Sequence, residues 1–164
     1  MRDEETYTCE YVTGLAEFER LARDPAFLDF VGLLDAEGSR EEWGSVSLST
    51  ADPTDGALAA HWIRRLSGSR VSYALDFELG HDVVELVRFW SGRLDVDHEQ
   101  LRLRRRRFDQ VRLRAVAESS VGVVTIRSTD PVLRIRLQAW TDKARANLIR
   151  VAGAERTGTD RRLD

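Results

Sequence analysis

The sequence predicts an α+β fold with a largely antiparallel sheet covered by helices on one face. Two observations predict it: four Asp-led helix starts alternate with segments of period-two patterning, and several of those segments follow one another closely in the second half of the chain. All three prolines follow an aspartate, at Asp24-Pro25, Asp52-Pro53 and Asp130-Pro131. An Asp side chain caps the free amides of a first helical turn, and proline suits the first helical position because its missing N–H would have no partner there.

Taken in order, helices are expected near 25–36, 53–66, 82–93 and 131–150. The third rests on Asp82 with Glu85 three residues on, ahead of Leu86, Val87, Trp90 and Leu94 at helical spacing. Strands are expected around Val46 and Leu48, from Val71 through Tyr73, Leu75 and Phe77 to Leu79, at Leu101 and Leu103, at Val111 and Leu113, and from Val121 to Ile126. A weak echo relates Val46 to Pro53 with Val123 to Pro131, each a strand running through Ser or Thr into an Asp-Pro start. The domain reading is an acidic N-terminal segment over 1–24, one α+β domain over 25–150, and a frayed tail over 151–164 that lacks periodicity.

With 164 residues, 42% hydrophobic and 32% charged, the chain has the composition of a globular protein rather than a disordered one. No run approaches the ~18 apolar residues of a membrane span, so no membrane partner and a cytoplasmic location are expected. Cys9 is the lone cysteine, which excludes an internal disulfide and a thiolate zinc cage. His61, His81 and His98 share no metal-ligand spacing, and no Gly-rich phosphate loop or Gly-x-Ser-x-Gly elbow is present. Trp62, Phe89, Trp90 and Trp140 fall at core-facing helical positions, whereas Trp43 does not, and Lys143 sits late in the last helix.

The net charge of −3 hides an uneven distribution. Residues 1–42 carry four arginines against twelve acids, a net of −8; residues 101–114 carry seven arginines against Asp109 alone, a net of +6. Alternation in a strand places Arg102, Arg104 and Arg106 on one face and Leu101, Leu103, Arg105 and Arg107 on the other. Arg112 and Arg114 would extend the patch onto the next strand. Arg suits phosphate because its planar fork binds two oxygens at once, and it also stacks on bases. A charged edge strand that guards against aggregation is the plainer alternative.

Phe30-Val31-Gly32-Leu33-Leu34-Asp35-Ala36-Glu37-Gly38 ends an apolar helix with an interior glycine and two acids in its last turn. Gly costs ~1 kcal/mol against Ala inside a helix, so a closely approaching backbone is expected at Gly32. Carboxylates at a helix C-terminus meet the negative end of its dipole and call for a cation. These nine residues resemble the motif of the LAGLIDADG homing endonucleases. A looser similarity to bacterial LAGLIDADG-like proteins runs over roughly residues 27–145, through Ser49 to Pro53, Val71 to Leu79, Arg88-Phe89-Trp90, Glu99-Gln100 and Arg102 to Arg107. The resemblance implies a saddle-shaped antiparallel sheet that holds double-stranded DNA, with two motif helices packed side by side. For a chain of this length it implies a homodimer through the 27–37 helix. Glu37 would be the metal-binding acid and Asp35 its catalytic neighbour, with Mg2+ as cofactor if endonuclease activity is kept, and Arg102, Arg104, Arg105, Arg106, Arg107, Arg112 and Arg114 would bind DNA. Two other readings stand beside it: a non-catalytic LAGLIDADG-like regulatory DNA-binding module, and a protein-interaction domain whose arginine strand meets an acidic partner.

Overall fold

The computed structural model describes residues 2–38, 44–105 and 120–159. In chain order the elements are α1 (Arg2–Leu21), α2 (Pro25–Glu37), β1 (Val46–Thr50), α3 (Pro53–Leu66), β2 (Val71–Phe77), α4 (Val83–Leu94), a 3-10 turn (His98–Gln100), β3 (Leu101–Arg105), β4 (Val123–Ser128) and α5 (Pro131–Thr159). They fall into two compact units, one of residues up to Gly32 together with those from Ile135 onward, the other Leu33–Arg134.

Each Asp-Pro pair starts a helix. The Asp24 carboxylate accepts from Ala26 N at 3.0 Å, Asp52 from Thr54 N at 2.7 Å, and Asp130 from Val132 N at 2.9 Å. Asp82 caps α4 in the same way, accepting from Val84 N at 3.0 Å and Glu85 N at 3.2 Å. The echoed strand-to-helix joins share one further bond. Asp52 N donates to Thr50 Oγ1 at 3.0 Å, and Asp130 N donates to Ser128 Oγ at 3.2 Å.

The unit of Leu33–Arg134 holds a four-stranded mixed sheet in the order β1-β4-β2-β3. β4 runs antiparallel to both β1 and β2, but β2 and β3 are parallel. That parallel pair corrects the expectation of an antiparallel sheet. Period-two patterning assigns faces and not directions, and α4 between β2 and β3 supplies the long crossover that parallel neighbours require. The expected strand at Val111 and Leu113 lies outside the described residues.

One face of this sheet is apolar, with Val46, Leu48, Tyr73, Leu75, Val124 and Ile126 all buried. α3 packs on β1, β4 and α4. Gly56 makes that approach possible, because a Cβ there would sit 2.9 Å from Trp90 Cζ3 and 3.5 Å from Val124 Cγ1. Trp90 is fully buried and satisfies its indole N–H on Val121 O at 2.7 Å.

The other unit is helical. Its core is built from Phe18, Leu21, Phe27, Phe30, Val31, Leu137, Ala139 and Trp140. Phe27 meets Phe18 and Trp140 edge-on, with ring centroids 6.2 and 5.3 Å apart. α1 and α5 cross at Gly14, where a Cβ would stand 3.0 Å from Ala139 Cβ and 3.1 Å from Arg136 Cα. Trp140 Nε1 donates to Gly14 O at 3.0 Å. Arg136 sits between Glu10, at 2.8 Å, and Glu17, at 3.2 Å, so two of the N-terminal acids are neutralised in this seam. Residues read from sequence as an acidic segment thus form a helix, and α5 continues past Val151, where the sequence periodicity stops.

Candidate nucleic-acid interface

The second face of the sheet is polar, and its residues follow from strand register. Ser49 lies opposite Thr125, Thr125 opposite Ala74, and Ala74 opposite Arg102. The flanking rows place Arg104 beside Asp76, and Ser47 and Ser72 on either side of Arg127. β3 enters this face because Leu101, buried on the apolar side, fixes its alternation.

Arg104 holds the face together. Its Nε lies 2.9 Å from Asp76 Oδ1, and its Nη2 donates to Asp76 Oδ2 at 2.9 Å and to Thr125 Oγ1 at 3.2 Å. The Thr125 and Ser49 hydroxyls share a further hydrogen bond of 2.8 Å. One polar chain therefore crosses all four strands. Asp76 is only 2% exposed, so its charge needs this two-pronged partner, whereas the Arg104 side chain keeps 41% of its surface in solvent.

The expected row of equivalent arginines is consequently not uniform. Arg102 is exposed on the polar face, Arg104 is tied to Asp76, and Arg105 is exposed on the opposite side of β3. Arg106, Arg107, Arg112 and Arg114 lie outside the described residues. Sequence reasoning missed Asp76, Thr125 and Arg127. The usable signal was Asp76 itself, a lone acid between Leu75 and Phe77 in an apolar strand, which has to find a cation.

At the end of α2, Glu37 is exposed and Asp35 half-buried. Gly38 N donates to Leu34 O at 3.0 Å, closing the helix. Among the described residues no neighbour approaches Gly32 closely: it is exposed, and a Cβ added there meets nothing within 4 Å. Within the chain, close approaches are made at Gly14 and Gly56. Among the described residues no group of three or more His, Cys, Asp or Glu side chains is placed to hold a metal ion. His81 Nδ1 accepts from Glu78 N at 3.1 Å, and the His61 ring stands edge-on to Trp62. Lys143 lies 3.9 Å from Glu19.

No helix among the described residues is long and apolar enough to cross a membrane. No protein-family model, curated protein or solved structure matches the chain.

Proposed function

We propose that the chain binds double-stranded DNA through the polar face of its sheet. The observation that carries this reading is the setting of Arg102, an exposed guanidinium in register with the Ser49 and Thr125 hydroxyls, on a face stiffened by the Arg104–Asp76 fork. Phosphate backbones are bound by such mixtures of arginine and hydroxyl donors. The sequence between 101 and 114 carries a net charge of +6, which suits a polyanion. Arg104 acts in this reading as a positioning residue, since its charge is already matched by Asp76.

The LAGLIDADG-like stretch adds a second, narrower reading, cleavage by a homodimer. In that reading the motif acids of a second chain would stand beside Glu37 to share the metal ion.

Titration of a labelled duplex at ~50 mM salt, with and without magnesium, tests both readings. Retention of the duplex without cleavage is expected, and unchanged retention by Glu37→Gln. Absence of retention at this salt would overturn the DNA-binding reading and favour a protein-interaction domain. Magnesium-dependent nicking that Glu37→Gln abolishes would establish the nuclease instead.

A further inference from the structure

Two helical stripes in the unit built from α1 and α5 run on past the core that they serve. In α1 the stripe is Tyr7, Tyr11, Gly14, Phe18 and Leu21, spaced alternately by four and three residues. Gly14, Phe18 and Leu21 are buried, Tyr11 is half-buried with its hydroxyl donating to Asp142 at 2.8 Å, and Tyr7 is 45% exposed. In α5 the stripe is Leu137, Trp140, Ala144, Leu148 and Val151. Leu137 and Trp140 are buried, but Leu148 and Val151 are 70% and 55% exposed, with Ile149 also exposed beside them.

The same side of each helix thus changes from core to open apolar surface along its length. Three large aliphatic side chains so close together on one helical arm form the sort of contiguous patch that marks an interaction site. The charges around the two arms are opposite. Glu4 and Glu5 flank the open end of the α1 stripe, whereas residues 144–152 contain Arg145 and Arg150 and no acid.

We infer that a second copy of this chain covers these arms, the exposed arm of α5 from one copy lying on the acidic N-terminal half of α1 from the other, and the reverse. Each copy carries both halves of the contact, as a two-fold interface requires. Apolar stripes supply the seam, and the opposite charges select the partner and its direction. None of these residues lies on α2, so the contact is separate from any pairing of the motif helices.

Sedimentation velocity of the whole chain over a range reaching ~100 µM reads the assembly state. The wild-type chain is expected to sediment as two copies, and Leu148→Glu with Val151→Glu to weaken association by ~10-fold or more. Leu28→Glu, on α2, should leave it unchanged. Charge reversal identifies the occupant. Glu4→Arg with Glu5→Arg, and separately Arg150→Glu, should each weaken self-association, and mixing these two variant chains should restore a dimer. A wild-type chain that stays single throughout, a dimer indifferent to the Leu148 and Val151 substitutions, failure of the mixture to pair, or loss of the dimer through Leu28→Glu would each overturn the inference.

Discussion

The two faces of the sheet are made by the same four strands, yet they solve opposite problems. On the apolar face Leu48, Leu75, Val124 and Ile126 are removed from water and Gly56 lets α3 come close to Trp90. On the polar face Ser49, Thr125, Arg104 and Asp76 join across the strands, and exposed Arg102 stands in the same row as Ser49 and Thr125. The first face creates stability through packing; the second holds its polar groups in place through hydrogen bonds and the Arg104–Asp76 pair. Substitution of a packed residue such as Trp90 should therefore act on folding, and substitution of exposed Arg102 on the proposed binding alone.

The largest effect belongs to the packed face. Trp90→Ala removes a fully buried ring and its bond to Val121 O, and should cost ~3–5 kcal/mol in a urea melt. Gly56→Ala places a methyl 2.9 Å from the Trp90 ring and should cost ~1–3 kcal/mol, since the ring has little room to shift. A neutral result at Gly56 would mean that α3 and α4 pack more loosely than described. On the polar face, Arg104→Met leaves the buried Asp76 carboxylate without its guanidinium. Breaking such a pair costs ~3–5 kcal/mol deep in a core, and solvent at the part-exposed Arg104 reduces this to ~1–2 kcal/mol.

Alkaline pH gives a smaller probe of the packed face. Burial raises the Tyr73 phenol above its usual 10.0, with Arg64 opposing the shift. The folded chain then holds that proton more tightly than the unfolded one, so the contribution to stability is complete below pH 10 and lost as pH rises through the raised pKa. Chemical denaturation measured at rising pH should show this decline, and Tyr73→Phe should flatten it.

Helix starts were the most legible part of the sequence, because an Asp cap followed by proline satisfies a local requirement that tertiary packing does not rewrite. Strand positions among the described residues were legible through alternation. Strand direction was not, since β2 and β3 would show the same pattern whether parallel or antiparallel. α1 was hidden by its acids: Glu10 and Glu17 look like solvated charge until Arg136, more than a hundred residues away, is placed between them. The glycine in the LAGLIDADG-like stretch is a related case. Composition signals that a helix can be approached closely, but only the arrangement of neighbours decides whether Gly32, Gly14 or Gly56 is the point of approach. The site was half legible. Sequence marked β3 as cationic, but the division of labour between Arg102 and Arg104 depends on Asp76 in the neighbouring strand.

The central claim, that the polar face binds DNA and Arg102 contacts its backbone, is tested most directly by the salt dependence of duplex affinity for the wild-type chain and Arg102→Ala. The wild-type affinity should fall steeply as salt rises, and the substitution should make the log-log slope shallower by ~0.9, the share of one neutralised phosphate, with little change in the urea midpoint. A wild-type affinity that does not respond to salt, or an Arg102→Ala slope equal to that of the wild type, would contradict it.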